Sequence, residues 1–342
     1  MRSMTADEAT FGVLLNFGAS QGDSVEQVFD FGAVQAHTAE QLGFDDLWVT
    51  EHHFIRFGIN PSALTAAAFL LGRTRHVRVG TSVVLSPLSH PVELAERAAL
   101  LDQLSHGRFE LGLGRGGYRR DFEVLGVDFA RWDEEPCASA QRILELWRSG
   151  EQNPGTGESL TLQPPVRTKP HPNLLMATAS AAGIAFAAQC GLPLQHYFAT
   201  PAEQRMQLQD RYRELSDGTA AAPKHLHTLI VIVDSADGRR EQLAGALKCS
   251  FRDGDHPHVP QAMNRHHGPD GQPGSPAEMA DIVAGNAIIG GPAQVVDELG
   301  RFIQTTGAQR IAVYPEAIGD HKLAIATLEA LAADVLPQLR RQ

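Results

Sequence analysis

The chain has 342 residues, of which 43% are hydrophobic and 20% charged, with a net charge of -11. That apolar fraction supports a sizeable core and excludes wholesale disorder. The acidic balance argues against a nucleic-acid binder, which would carry a basic face, and gives no attraction to an anionic membrane surface. Cys137, Cys190 and Cys249 are too scattered for a disulfide framework and form no CxxC pair. The N-terminus is polar and no apolar run is long enough to cross a bilayer, so the expectation is a soluble, cytoplasmic protein.

In chain order, residues 11–15 read as a strand and residues 25–42 as a helix closed by Gly43. Residues 46–50 give the next strand. Residues 61–71 read as an Ala- and Leu-rich helix with Pro61 in its first turn, where proline is favoured. Residues 77–85 are β-branched and strand-like. Over residues 91–104, Leu94, Ala98, Leu101 and Leu104 recur at the spacing of one helical face. Gly107 ends that helix, and residues 108–113 form the following strand. The second half continues with strands at 173–178, 194–198, 229–233 and 311–314, helices between them, and a terminal helix over 323–339.

Eight strands alternating with helices, with no linker between the halves, favour a single (β/α)8 TIM barrel over residues 1–342 rather than a doubly wound sheet. Two insertions interrupt the rhythm. Residues 150–172, after the fourth helix, are rich in Gly, Pro and Thr and read as a hairpin or loop. The other lies in the 251–290 region, where residues 251–276 are polar and carry His256, His258, His266 and His267. A stretch of this length reads as a solvated segment or an active-site lid. Its histidine spacing fits no closed metal site, so no metal is expected.

The apolar residues 47–49 lead into Glu51-His52-His53-Phe54. In a parallel α/β protein the C-terminal end of a strand is where ligands bind, and histidine exchanges protons near neutral pH. Either histidine could instead be a hydrogen-bonded structural residue, His53 the more so. Gly112, Gly114 and Gly117 satisfy G-x-G-x-x-G after a strand. A dinucleotide fingerprint is rejected, because the motif does not open a nucleotide domain and no helix clearly begins there. Glycines at a strand end also let the backbone approach a ligand. Arg115 among them can offer a planar fork to a phosphate or pair with a rim carboxylate. Ser180 sits at a helix start, suited to phosphate oxygens or simply to capping. Glu316, at the end of the last strand, is either catalytic or orients a neighbouring histidine.

Further segments fall in a telling order: Gly43-Phe44-Asp45, Trp48, Glu51-His52-His53-Phe54, Phe57-Gly58, Val79-Gly80-Thr81, His90-Pro91-Val92 and Leu101-Asp102-Gln103. Gly107-Arg108-Phe109, Arg115-Gly116, Tyr118, Asp121-Phe122, Gly191-Leu192-Pro193 and the terminal Asp334-Val335-Leu336-Pro337 complete the series. Together they resemble the flavin-dependent, bacterial luciferase-like monooxygenases, with the motif pattern of the luciferase α chain. Residues 202–284 match that pattern poorly.

The resemblance implies a (β/α)8 barrel that binds reduced FMN (FMNH2) at the strands' C-terminal mouth and reacts it with O2 through a C4a-peroxyflavin. It gives His52 the catalytic, proton-transfer role, with Glu51, His53 and Glu316 orienting it. Arg115, Gly116, Gly117 and Tyr118 match the flavin-phosphate segment, and Ser180 a phosphate-contacting serine. Ser82-Val83 falls where such proteins have a non-proline cis peptide under the flavin ring. Gly114 stands where the α chain has a reactive cysteine. Ala179 and Gly183 replace its phosphate-loop glutamate and threonine, which shifts phosphate binding onto Arg115 and backbone groups.

The implied function is a two-component flavin-dependent monooxygenase, served by a separate NAD(P)H flavin reductase and acting on an organic small molecule. The reaction would be hydroxylation, epoxidation or insertion of oxygen beside a carbonyl, in a tailoring step of natural-product or antibiotic biosynthesis. A homodimer is also implied. Two other readings stand beside it. One is an F420-dependent oxidoreductase on the same barrel; the other is a non-catalytic flavin-binding partner subunit, against which His52 argues.

Overall fold

Segments that are apolar on both sides belong in a parallel sheet covered on both faces, and the computed structural model places them there. It describes residues 9–20, 22–149, 151–152, 157–216, 223–252 and 275–340. The strands are β1 (Thr10–Leu15), β2 (Asp46–Val49), β3 (Arg78–Thr81), β4 (Val84–Leu85) and β5 (Phe109–Gly114). An antiparallel hairpin of β6 (Glu151–Gln152) and β7 (Ser159–Leu160) comes next, then β8 (Leu174–Met176) and β9 (Gln195–His196). β10 (Leu226–Leu229), β11 (Val231–Val233), β12 (Ile288–Gly290) and β13 (Arg310–Val313) complete the set.

Nine strands share one parallel sheet in the order β4-β5-β3-β2-β1-β13-β10-β9, with β8 paired to β5. Between β8 and β9 the ladder reduces to one parallel bridge, Met176 to Leu194. The hydrogen bonding therefore describes a mixed α/β fold on a curled parallel sheet that is open along this seam, rather than the complete eight-strand ring expected from the alternation.

Side chains alternate across the curl with the two-residue period of a strand. Phe11, Val13, Leu15, Leu47, Val49, Leu111 and Leu113 pack outward in the layer shared with the helices. Leu14, Trp48, Leu175, Leu226 and Ala312 point into the second, inner cluster. At the N-terminal end of the strands a buried ion network plugs the sheet. Arg310 Nη1 and Nη2 reach both oxygens of Glu110 at 2.7 and 2.8 Å, and Nε and Nη2 reach Asp46 Oδ2 at 2.9 and 2.8 Å. Trp48 Nε1 donates to the other Asp46 oxygen at 2.7 Å, and the Arg310 guanidinium lies 4.6 Å from the Trp48 ring centroid.

Several elements depart from the sequence reading. The second helix starts at Ala63, capped by Ser62 Oγ accepting from Thr65 N, so Pro61 lies before the cap. The stretch 77–85 is two strands separated by the cis peptide Ser82-Val83. A seven-residue helix, Arg119–Leu125, does follow the glycine segment. The stretch 229–233 belongs to two sheets: β10 joins the main sheet, while β11 pairs with β12 outside it. The insertion at 150–172 contains the β6–β7 hairpin. His256, His258, His266 and His267, and with them the lid and metal expectations, lie outside the described residues.

Candidate active site

The C-terminal ends of the strands converge on one pocket, and the segment after β2 supplies its most reactive wall. Thr50 Oγ1 donates to Asn16 Oδ1 at 2.9 Å, and Asn60 Nδ2 donates to Thr50 O at 2.6 Å. His52 N donates to Asn60 O at 2.9 Å. This backbone clasp turns the His52 side chain into the pocket. The ring meets Phe57 edge-on, centroids 5.3 Å apart, and rests on Gly58, where a Cβ would stand 2.5 Å from His52 Cδ2. Burial, followed by the neighbouring His53, pushes the His52 pKa down to about 4. The imidazole is therefore neutral at pH 7, able to accept a proton or to donate one N–H.

Glu51 also lines the pocket, but its oxygens are committed to the backbone. Oε2 accepts from Ala63 N at 2.8 Å and Oε1 from Leu85 N at 3.0 Å, tying the end of β2 to the next helix and to β4. Burial raises its pKa to about 7 against the pull of those two amides. His53 turns away, its Nε2 4.0 Å from Glu51 Oε1, too far for a hydrogen bond. Phe54 then takes a left-handed φ of 59°, and Arg120 Nη2 donates to its carbonyl at 3.1 Å.

The opposite wall is the glycine segment, where missing side chains make room. A Cβ on Gly112 would meet Thr81 O at 2.0 Å and Gln195 Nε2 at 2.3 Å. One on Gly114 would meet Val83 Cγ2 at 2.5 Å, which leaves no space for the cysteine side chain of the α chain pattern. Gly116 has a φ of 80°, and a Cβ on Gly117 would find open space. Arg115 lies over Trp132, Cζ 3.8 Å from the ring centroid, while Trp132 Nε1 donates to Gly116 O at 3.1 Å. Tyr118 closes this wall; burial, then Asp121, raises its pKa to about 12. Asp121 is itself pushed up to about 6 by burial, with Arg120 opposing.

Glu51, His52, Ser82, Val83, Arg115, Gly116, Gly117 and Tyr118 thus share one pocket. Three expected residues do not: His53, which turns away, Ser180 and Glu316. Ser180 is exposed and caps the helix Ala181–Cys190, its Oγ accepting from Gly183 N at 3.1 Å. Glu316 accepts from Asn16 N at 3.0 Å and Gly18 N at 2.6 Å, and lines a second cavity with Arg56 and Cys249, beyond Phe57. Burial raises its pKa to about 7, again against backbone amides.

Sequence reasoning missed Gln195, Tyr197, Phe198 and Met279 in the pocket and Trp132 beneath Arg115. Gln195 carried the one readable signal, a polar residue opening a short buried strand. The residues present fit a flavin mononucleotide. The side-chain-free backbone of Gly114, Gly116 and Gly117 suits a flat ring, a guanidinium held over an indole suits a phosphate, and the buried Gln195 Oε1 has no partner among the described residues.

The chain is 29% identical over 325 residues to an alkanal monooxygenase alpha chain of Aliivibrio fischeri, covering 88% of this chain and 90% of that one. The solved structure of monooxygenase RslO1 from Streptomyces bottropensis superposes with a TM-score of 0.79 at 23% identity, covering 96% of this chain and 99% of that one. The oxygenating constituent of 3,6-diketocamphane monooxygenase from Pseudomonas putida, a type II Baeyer-Villiger monooxygenase solved in complex with FMN, gives 0.75 at 18% identity with coverages of 96% and 99%. Residues 9–310 match the family described as luciferase-like monooxygenase; the chain is an enzyme of that family.

Proposed function

We propose that this enzyme is the oxygenase of a two-component monooxygenase that uses FMNH2 and O2 on an organic small molecule. The observation that carries the reading is that a neutral, half-buried His52 and the cation Arg115 line one pocket with the side-chain-free backbone of Gly114, Gly116 and Gly117. The alkanal monooxygenase relative and the FMN-bound neighbour support it. When bound, reduced FMN supplies the electrons with which O2 is activated and one oxygen atom passed to the substrate.

The residues divide that work. Arg115, with the Gly116, Gly117 and Tyr118 backbone, holds the phosphate, and Ser180 offers an outer contact at its helix start. Ser82 and Val83 support the ring. His52 takes or returns the proton at its imidazole nitrogen, while Glu51, His53 and Glu316 fix the surrounding backbone. Phe57, Phe198, Phe251 and Met279 keep water from the reacting atoms. The open, curled sheet is read as a (β/α)8 barrel, with the single Met176–Leu194 bridge spanning its seam. A separate NAD(P)H flavin reductase, a homodimer, a cytoplasmic setting and a role in natural-product tailoring complete the proposal; the neighbour described as an oxygenating constituent supports the first of these.

The test is to mix enzyme with anaerobically prepared FMNH2, isotopically labelled O2 and a panel of aldehydes, ketones and phenols. Labelled oxygen in an organic product is expected. Reduction of a ketone by reduced F420, with no label incorporated, would establish the deazaflavin reading instead.

A further inference from the structure

Gln195 opens β9 and is only 5% exposed, yet its side chain lines the active-site pocket. Its amide is fixed by a clasp of three residues. Thr81 Oγ1 donates to Gly112 O at 2.9 Å and accepts from Gly112 N at 2.8 Å. Gln195 Nε2 crosses over Gly112 and donates to Thr81 O at 3.0 Å. Any side chain at position 112 would occupy the space of that amide, so the first glycine of the G-x-G-x-x-G run serves Gln195.

The clasp also fixes which end of the amide faces the ligand. A carbonyl oxygen can only accept, so the NH2 group must face Thr81 and the oxygen must face away. That oxygen is buried and has no hydrogen-bond partner among the described residues. Asn16 and Thr50, polar groups of the same pocket, bond to one another, and a buried acceptor without a donor is costly enough that such atoms are found paired. Thr81 immediately precedes Ser82 and Val83, and Gln195 lines the same pocket as those two residues.

We propose that Gln195 is a specificity-determining residue whose amide oxygen accepts a hydrogen bond from an N–H or O–H group of the bound molecule. The inference rests on the flavin reading for one of its two donors, a ring N–H of reduced flavin. The other donor is a hydroxyl or N–H on the organic substrate, which would select a hydroxylated substrate over its purely apolar analogue.

The experiment compares wild type with Gln195→Leu and Gln195→Met, each checked for a cooperative thermal melt. Oxidised FMN and anaerobically reduced FMN are titrated first. Phenol and toluene are then titrated calorimetrically into the protein, with and without FMN. If the flavin supplies the donor, wild type prefers reduced FMN and both variants lose about five- to tenfold of that preference. If the substrate supplies it, the flavin ratio stays constant and the preference for phenol over toluene falls by a similar factor. Both ratios unchanged in a folded variant overturns the proposal. Failure of wild type to bind either form of FMN would count against the flavin reading alone, since the phenol and toluene ratio is measured without flavin as well.

Discussion

His52 is neutral chiefly because of where its ring lies, against Phe57 and over Gly58, with the neighbouring His53 adding to the effect. The folded pKa lies below the unfolded value of 6.5, so unfolded chains take up the proton first as pH falls. Stability from this group is therefore full above pH 6.5 and is lost progressively down to about pH 4. Thermal melts across that range should show a shallower acid-side decline in His52→Gln than in wild type. Turnover in the same variant should fall about 10²- to 10⁴-fold with FMN affinity retained; a variant that oxygenates at the wild-type rate would remove His52 from the chemistry. Gly58→Ala, which drives a methyl into the His52 ring, should lower turnover although it removes no titratable group. At Arg115, binding of FMN against riboflavin isolates the phosphate contact. Arg115→Ala should erase most of a preference of about ten- to a hundredfold, and an unchanged ratio would move the phosphate elsewhere.

Elements carry the site only because polar side chains staple their ends. Glu316 holds the turn after β1 through the Asn16 and Gly18 amides. Replacing it with Ala strands two buried donors and should cost about 1–3 kcal/mol, read as a lower denaturant midpoint. Arg108 does similar work, its guanidinium donating to Leu71 O, Thr74 O and Val77 O at the end of the second helix. Asp102 accepts from the Arg167 and Thr168 amides and so pins the insertion at 150–172. The Gly107-Arg108-Phe109 and Leu101-Asp102-Gln103 motifs thus owe much of their form to packing. Period and capping made the helix at Pro91–Leu104 readable to the residue. The division of 77–85 into two strands was not readable from its apolar run, because a β-branched run looks alike on either side of a cis bond. Likewise 229–233 gave no sign that Ile230 separates strands of different sheets.

Across the whole molecule, the network at the closed end of the sheet balances the open site at the other. Arg310 pairs with Asp46 and Glu110 from strands distant in sequence, and removing it would leave two buried carboxylates with only the longer ion contacts of Arg78, at 3.5 and 3.3 Å. Arg310→Met should therefore lose about 3–5 kcal/mol, measured by chemical denaturation; a loss below about 1 kcal/mol would show that the carboxylates find other partners. The sequence by itself determined the alternation of strand and helix, the family pattern, and the candidacy of His52 and Arg115, because these depend on local period and on motifs contiguous in the chain. Only the tertiary structure decided which candidates meet. It put Ser180 on a helix cap and Glu316 on backbone amides, and it brought Gln195 across Gly112 into the pocket. Those outcomes depend on which strands lie side by side and how closely their backbones approach, and no local pattern encodes that.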